Sequence, residues 1–127
     1  MARILLIDDD ESVQELFQMF LKQAGYDVIT ASDGGEGLQL YRQEHPDLVV
    51  TDIMMGPTSG LSVIRELRTE FPLAKIIAMT GYDSDVLKEA KVLGANWTMF
   101  KPFNPRDLLL AIRELLEKEN GTRPSQG

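Results

Sequence analysis

The sequence predicts an α/β domain in which a mostly parallel sheet of five strands carries helices on both faces. Two observations support this prediction. Five short apolar runs, several of them rich in β-branched residues, alternate along the chain with stretches whose apolar residues recur at helical spacing. The length of 127 residues suits one domain, and no internal repeat or second domain is visible. Such alternation favours a parallel sheet, because each helix returns the chain to the same end of the sheet.

The first two helices are predicted between the first three strands. Apolar residues that include Leu16 recur at helical spacing in the first helix, and Gly25 follows as a C-terminal stop. The second helix is predicted from about residue 36 to 44, because three glycines crowd its start. The predicted strands cover residues 4–7, 28–31, 48–50, 76–79 and 97–100.

The last three helices complete the alternation. The third and fourth each have one apolar stripe, and the fourth ends at Gly94. Asn104 can cap the fifth helix, and Pro105 is preset for its first turn. Since the helical pattern stops near residue 119, the sequence predicts a domain of residues 1–119 and a flexible polar tail of residues 120–127.

The composition limits the classes of partner. Acidic residues outnumber basic ones by 20 to 13, which gives a net charge of −7. This charge disfavours nonspecific binding to nucleic acids or to an anionic membrane, so the expected partner is a protein or a small ligand. No apolar run is long enough for a membrane span or a signal-peptide core, and a cytoplasmic location is expected. The absence of cysteine excludes disulfides and thiolate metal sites.

Polar and charged side chains follow four of the five predicted strands, at the point where each apolar run ends. Asp8 and Asp9 follow the first strand, Asp52 the third, Thr80 the fourth and Lys101 the fifth. The carboxyl ends of parallel strands meet at one edge of the sheet, where ligands bind in folds of this kind. Adjacent carboxylates repel each other and resist desolvation, so the sequence predicts a cation among them.

The residue types at this edge indicate phosphoryl transfer. Carboxylate oxygens suit a hard cation such as Mg²⁺, which leaves coordination positions open for a phosphoryl oxygen. Lys101 offers a point charge to the remaining phosphoryl oxygens, and Thr80 offers a hydroxyl donor. An aspartate can itself be the nucleophile and form an acyl phosphate.

Four motifs, LIDDDES, PDLVVTDIMM, IIAMTG and MFKPF, occur in an order and at separations that resemble the receiver domain of two-component response regulators. The resemblance covers residues from about 3 to 118. It implies a flavodoxin-like fold with strand order 2-1-3-4-5. It also implies that Asp52 is the phosphoacceptor, that Thr80 is the switch hydroxyl and that Lys101 contacts the phosphoryl group.

The same resemblance implies ligands and partners. Asp8, Asp9 and Asp52 would hold Mg²⁺, or Mn²⁺ in its place, with the backbone carbonyl of Met54 as a further ligand. A histidine kinase or a histidine phosphotransfer protein would supply the phosphoryl group, while the downstream effector stays unidentified. The domain would catalyse only its own phosphorylation and slow dephosphorylation, and it would not be an enzyme in the ordinary sense. A phosphorylation-dependent dimer through the fourth helix, fifth strand and fifth helix stays open.

The sequence departs from the family pattern around the predicted site. Gly56 stands where proline usually follows the phosphoacceptor, which predicts a more mobile loop. Thr98 stands where an aromatic residue usually couples to the switch hydroxyl, and Trp97 is expected on the opposite face of the strand. Met54 and Tyr82 flank the site and are neither acids nor amides, so slow self-dephosphorylation is expected.

Two other functions stay open. Asp8, Asp10 and Ser12 fit the D-x-D-x-[ST] pattern of haloacid-dehalogenase-type phosphatases, in which Asp8 would be the nucleophile and Asp10 the acid. The chain is short for that family, and only Asp107, at a predicted helix start, lies where the family has a second acidic cluster after its lysine. A receiver fold used as a phosphorylation-independent binding module is the other alternative, and Thr98 and Gly56 favour it.

Residues outside the predicted site have structural interpretations. His45 precedes a proline in a predicted loop and is expected to be an ordinary exposed histidine. Tyr41 and Phe71 are expected to pack in the core. Met19 and Met79 are expected to fill it, because methionine adapts to irregular spaces.

Overall fold

A computed structural model of the chain describes residues 1–54, 59–81 and 84–121, with residues 118–121 as helical backbone only. The described parts form one parallel sheet between two layers of helices. The strands are β1 (Arg3–Ile7), β2 (Asp27–Ala31), β3 (Leu48–Asp52), β4 (Ile76–Thr80) and β5 (Trp97–Phe100). The helices are α1 (Glu11–Gln23), α2 (Gly34–Glu44), α3 (Gly60–Glu70), α4 (Ser84–Leu93) and α5 (Pro105–Gly121).

The strand order of the sheet is β2-β1-β3-β4-β5, and all neighbouring strands run parallel. This confirms the predicted α/β class, the strand order and the flavodoxin-like architecture. Ile7 at the end of β1 is the register partner of Thr51 on β3. Asp52 pairs with Met79, the residue before Thr80. The residues that end or follow these strands therefore emerge at one edge of the sheet.

Each face of the sheet has its own apolar core. Leu5 and Ile7 of β1 pack with the side chains of α2, α3 and α4, whereas Ile4 and Leu6 pack with those of α1 and α5. The strands β3 and β4 are buried at all their positions, which explains their nearly continuous apolar runs. A fully buried leucine or isoleucine stabilises the fold by about 1.5–3 kcal/mol relative to an exposed one.

Helix α2 begins at Gly34, slightly before the predicted start. Its N-cap is Asp33, whose carboxylate accepts the backbone N–H of Glu36 at 2.8 Å. The carboxylate of Glu36 in turn accepts the backbone N–H of Ser32 at 2.9 Å. These two bonds resemble a capping box, except that Glu36 accepts the N–H of the residue before the cap rather than that of the cap itself. The cap alone is typically worth ~1 kcal/mol and offsets the entropic cost of the glycines in the first turn.

Helix α5 begins as the sequence predicts and ends later. Pro105 is its first residue, and Oδ1 of Asn104 accepts the backbone N–H of Arg106 at 2.9 Å. The helix continues to Gly121, past the predicted boundary, and residues 122–127 of the predicted tail lie outside the described residues. None of the helices within the described ranges has the length and apolar character that crossing a membrane requires.

The arginine at position 68, near the end of α3, links three segments. Its guanidinium donates to the carbonyl oxygen of Gly94 at 2.7 Å and to Oδ1 of Asn96 at 2.9 Å. The same Asn96 oxygen accepts the backbone N–H of Ile76 at 2.8 Å. These bonds fix the amino-terminal ends of β4 and β5 against α3. They lie at the edge of the sheet opposite the carboxyl ends of the strands.

The prediction that Met19 fills the core is wrong, since its side chain is 56% exposed. Leu16, which belongs to the helical pattern of α1, is also exposed, at 52%. The buried stripe of α1 is narrow and consists of Phe17 and Leu21, and positions 16 and 19 fall outside it. Met79 is fully buried, as predicted.

The predictions for the aromatic residues and for His45 are confirmed. The rings of Tyr41 and Phe71 pack with their centroids 4.7 Å apart. His45 is exposed and ends α2 in the left-handed conformation, with its ring edge against Phe71.

The edge strand β5 presents different side chains to the two faces of the sheet. Trp97 packs against the same apolar core as Met99, beneath α1 and α5. Thr98 lies between them and is half-buried, so strand alternation directs its side chain to the face that α4 covers. This agrees with the expected placement of Trp97 and Thr98 on opposite faces.

Gly60, the first residue of α3, lies against the backbone of β3. A Cβ atom here would sit 2.3 Å from the carbonyl oxygen of Asp52 and 2.6 Å from Cα of Ile53. Backbone atoms cannot move aside as a flexible side chain can. We therefore expect Gly60→Ala to lower the free energy of unfolding, measured by urea denaturation, by about 2–3 kcal/mol.

Gly35→Ala is the matched control, since it makes the same change in the first turn of α2. Its Cβ would lie 3.4 Å from Oδ1 of Asp33, which is ordinary contact, and alanine favours the helix. We expect this variant to be neutral or to gain up to about 1 kcal/mol. Equal losses in the two variants would contradict the steric argument.

Candidate functional site

Three carboxylates meet at the edge of the sheet where β1 and β3 end. Asp8, Asp9 and Asp52 each bring an oxygen to within 4.8 Å of the other two. They line an open cleft of about 610 Å³ together with Met54 and Lys101. The structure thus brings together the residues that the sequence singles out from three different strands.

Asp8 is the most deeply buried of the three acids. Its side chain is 1% exposed, its Oδ1 accepts the backbone N–H of Asp10 at 2.9 Å, and its Oδ2 lies 3.4 Å from Nζ of Lys101. Burial raises the pKa of the Asp8 carboxyl, and the Asp10 N–H and the Lys101 ammonium oppose this only in part. The ionised Asp8 side chain is therefore held at a cost in free energy.

Asp52 ends β3 and is held from two directions. Its Oδ1 accepts the backbone N–H of Met54 at 3.0 Å, and its Oδ2 lies 3.1 Å from Nζ of Lys101. Its side chain is 10% exposed, so one side of the carboxylate faces the cleft. Asp9 is exposed on the rim.

Lys101 follows β5 and bridges the two buried acids. Its backbone N–H donates to the carbonyl oxygen of Thr80 at 2.7 Å, which ties the end of β5 to the end of β4. Burial alone would lower the pKa of the Lys101 ammonium, but the carboxylates of Asp52 and Asp8 outweigh this effect and raise it. The lysine therefore stays charged near neutral pH.

Thr80 is the last residue of β4 and is fully buried. It lies one residue beyond Met79, the register partner of Asp52, and so belongs to the same edge of the sheet. Its hydroxyl is a short, rotatable donor on the strand beside the carboxylates.

The donor set fits a hard divalent cation. The three carboxylates offer oxygen atoms only, and among the described residues the Lys101 ammonium pairs with two of them, Asp8 and Asp52. Negative charge is therefore left over for a cation to neutralise. The exposed rim leaves room for coordinated water. Mg²⁺ is the cation that this chemistry favours, and the metal role of the Met54 carbonyl stays a prediction.

Asp10 has a different task from its neighbours. Its Oδ1 accepts the backbone N–H groups of Ser12 at 2.9 Å and Val13 at 3.3 Å, which makes Asp10 the N-cap of α1. The Asp10 carboxylate is therefore directed at the first backbone N–H groups of α1. This contact argues against Asp10 as the acid of a phosphatase.

Two predicted flanking features lie outside the described residues, namely the loop at Gly56 and the side chain of Tyr82. One residue at the site is missed by the sequence argument. The side-chain nitrogen of Gln14 in α1 donates to the carbonyl oxygen of Asp8 at 2.5 Å. The only sequence signal for it is a polar residue beside the apolar stripe of α1, which is common on helices.

Comparison with known proteins finds many relatives of this chain. The family model of the response regulator receiver domain matches residues 4–113. The alkaline phosphatase synthesis transcriptional regulatory protein PhoP of Bacillus subtilis (strain 168) is 39% identical over 124 residues, which are 97% of this chain and 52% of that protein. A probable transcriptional regulator ycf27 of Cyanophora paradoxa is 40% identical over 123 residues, with 94% and 51% covered. The chain spans about half the length of these curated relatives.

Solved structures agree over nearly the whole chain. A response regulator receiver domain protein from Clostridium thermocellum matches with a TM-score of 0.91 and 32% identity, covering 94% of this chain and 98% of that one. The response regulator protein TrrA of Thermotoga maritima, in complex with Mg²⁺-BeF, matches with a TM-score of 0.85 and 35% identity. That match covers 91% of this chain and all of the other.

Asp8→Asn removes a buried charge but keeps the oxygen that accepts the Asp10 N–H. Because the pKa of the Asp8 carboxyl is raised, the folded protein binds a proton at Asp8 more tightly than the unfolded chain does. We therefore expect the variant to gain roughly 1 kcal/mol in free energy of unfolding at neutral pH without divalent cations. The gain should shrink as the pH falls through the raised pKa, because acid then neutralises the wild-type carboxylate as well.

Asp10→Asn is the control, since it also removes one acid but asparagine caps a helix about as well as aspartate. We expect its unfolding free energy to stay within about 0.5 kcal/mol of wild type. Chemical denaturation across pH measures both variants. A loss of stability in Asp8→Asn at neutral pH would show that the pairing with Lys101 outweighs the cost of burial.

Proposed function

Because the chain belongs to the response regulator receiver domain family, we propose that Asp52 accepts a phosphoryl group in two-component signalling. The domain is a receiver, so its output is a phosphorylated state rather than a released metabolite. One observation carries the assignment of the acceptor. The Asp52 carboxylate faces the cleft, 3.1 Å from the Lys101 ammonium and within reach of the two other carboxylates.

In the proposed reaction, a carboxylate oxygen of Asp52 attacks the phosphorus atom of a phosphohistidine on the donor protein. The P–N bond breaks, its electron pair returns to the imidazole, and Asp52 becomes an acyl phosphate. Lys101, which sits between Asp52 and Asp8, donates to the phosphoryl oxygens. The domain promotes its own phosphorylation in this way and does not turn over a substrate pool.

We propose that Asp8, Asp9 and Asp52 hold Mg²⁺, with Mn²⁺ as a substitute and the Met54 carbonyl as a further ligand. When bound, the cation neutralises charge on the transferring phosphoryl group. The all-oxygen donor set supports this assignment, as does a solved relative that is a complex with Mg²⁺-BeF.

The switch is proposed to run through Thr80 and Lys101. Phosphorylation adds negative charge and three acceptor oxygens to Asp52, which would draw in the hydroxyl and the ammonium and move the segments that follow β4 and β5. Thr98 has no aromatic ring to rotate. The backbone bond from Lys101 to Thr80 supports a direct coupling of the two segments instead.

The proposed donor is a histidine kinase or a histidine phosphotransfer protein, and the effector is the partner that binds the phosphorylated form. The curated relatives are named as transcriptional regulators and are about twice as long as this chain. We propose a cytoplasmic domain of residues 1–119 followed by a tail, which serves either alone or within a longer regulator. A phosphorylation-dependent dimer is one route to output.

A phosphorylation-independent binding module is the second candidate function. The observation that favours it is Thr98, which is half-buried at the position where the family usually carries an aromatic switch residue. In that case the acidic cleft would persist without use as an acceptor.

Intact-protein mass spectrometry after incubation with acetyl phosphate and Mg²⁺ tests the proposal. We expect one phosphoryl group on the wild type and none on Asp52→Asn or after chelation of the metal, because the nucleophile or the cation is then missing. Asp47→Asn, which changes an aspartate away from the cleft, is the control and should be phosphorylated like wild type. Phosphorylation that persists in Asp52→Asn would overturn the assignment of the acceptor.

The other outcomes separate the alternatives. Consumption of acetyl phosphate that depends on Asp8 and not on Asp52 would support a phosphatase. If no variant and no condition yields a phosphoprotein, while a partner binds the unmodified domain, the binding-module candidate is supported.

The phosphorylated state is expected to decay slowly, because the thioether of Met54 at the cleft cannot orient an attacking water. The half-life of the purified phosphoprotein with Mg²⁺ should be minutes or longer. Met54→Asn places an amide there and should shorten the half-life by roughly tenfold. Met19→Asn, an exposed methionine outside the cleft, is the control. A wild-type half-life of seconds would contradict this prediction.

A further inference from the structure

Gln14 makes an unusual set of contacts for a helix residue. Its side-chain nitrogen donates to the carbonyl oxygens of Asp8 at 2.5 Å and Ala31 at 3.0 Å. An amide nitrogen carries two hydrogens, and these two backbone carbonyls, one just after β1 and one at the end of β2, use both of them. The hydroxyl of Ser32 lies further away, at 3.4 Å.

These contacts close a ring around the end of β1. The carbonyl oxygen of Ala31 also accepts the backbone N–H of Asp8 at 3.1 Å. The N–H of Asp8 is therefore fixed to the end of β2 directly, and its carbonyl is fixed there through Gln14. The peptide that joins Asp8 to Asp9 is held in one orientation by this ring.

The orientation of that peptide decides where Asp9 emerges. The Asp8 carboxylate has direct supports in the Asp10 N–H and the Lys101 ammonium. The Asp9 carboxylate is exposed, and within the described ranges no side-chain hydrogen bond holds it. The position of the Asp9 carboxylate beside Asp8 therefore depends on the conformation of the backbone at Asp9.

We infer that Gln14 is a positioning residue for the acidic pair: its amide holds the Asp8–Asp9 peptide so that both carboxylates face one divalent cation. The inference rests on the proposed metal site. Residues that orient metal ligands through hydrogen bonds commonly change metal affinity by ten- to a hundredfold when they are replaced. We place Gln14 in this group although its side chain contacts the backbone, and not the carboxylate, of the proposed ligand Asp8.

The variant Gln14→Glu separates positioning from charge. Glutamate has nearly the same shape and is tolerated near a helix N-terminus, where negative charge is favourable. Its added charge alone would strengthen binding of Mg²⁺. However, a carboxylate cannot donate to the two carbonyl oxygens and repels them instead. Positioning therefore predicts weaker binding, which is opposite in sign to the charge effect.

Calorimetric titration with MgCl₂ on the unphosphorylated protein is the test. We expect a dissociation constant about tenfold higher than wild type for Gln14→Glu and for the neutral variant Gln14→Leu. Gln18→Glu makes the same charge change one turn further along α1, and its constant should equal that of wild type or be slightly lower. Amide resonances of Asp9 and Asp10 without metal should shift in both Gln14 variants and stay in place in Gln18→Glu.

Phosphorylation kinetics separate an effect on Mg²⁺ affinity from a general loss of fold. With acetyl phosphate, the Mg²⁺ concentration for half-maximal phosphorylation should rise about tenfold in Gln14→Leu, while the rate at saturating Mg²⁺ stays within about twofold of wild type. A general loss of fold would instead lower the rate at every Mg²⁺ concentration.

The outcomes are distinguishable from failure of the proposed function. If wild type itself shows no heat of Mg²⁺ binding and no phosphorylation, the proposed metal site fails. If wild type binds Mg²⁺ and both Gln14 variants bind it equally well or more tightly, the positioning role is overturned and the proposed function stands.

Discussion

Repulsion among three carboxylates at the end of a buried sheet is the constraint on which the rest of this molecule depends. Asp8 and Asp52 are both largely withdrawn from water, and within the described parts of the chain one ammonium, that of Lys101, lies between them. The site therefore carries an excess of negative charge, and burial of this charge costs free energy. A bound cation would balance this excess of negative charge, whereas a phosphoryl group on Asp52 would enlarge it, so the site is sensitive to both.

The sheet supplies the rigidity that such a site needs. The central strands β1, β3 and β4 are buried on both faces, and their register sets Asp52 and Thr80 on adjacent strands at one edge. Close backbone packing continues outside the sheet, since Gly60 places the start of α3 against the carbonyl of Asp52. The proposed movement on phosphorylation would therefore fall on the segments that follow the strands, because the strands hold the acids in a fixed frame.

The sequence is most informative where one physical effect dominates. Buried parallel strands produce short apolar runs, and the polar residues at their ends converge by topology, so the fold and the placement of Asp8, Asp52, Thr80 and Lys101 are predictable. Burial on α1 is less predictable from the sequence. The exposed Leu16 and Met19 are chemically like core residues, and the pattern alone does not give the width of the buried stripe. The contact of Gln14 is not predictable, since it joins the ends of two strands through a side chain that resembles any surface glutamine.

The position of Trp97 determines what an optical experiment on this protein reports. It is the chain's single tryptophan, and it is partly buried against the core beneath α1 and α5, away from the acidic cleft. Its indole becomes more exposed when that core unfolds, so its emission serves as a readout of unfolding. Cation binding in the cleft occurs out of contact with the indole, so direct quenching by a bound ion is not available as a signal. A fluorophore for the cleft must be introduced by design.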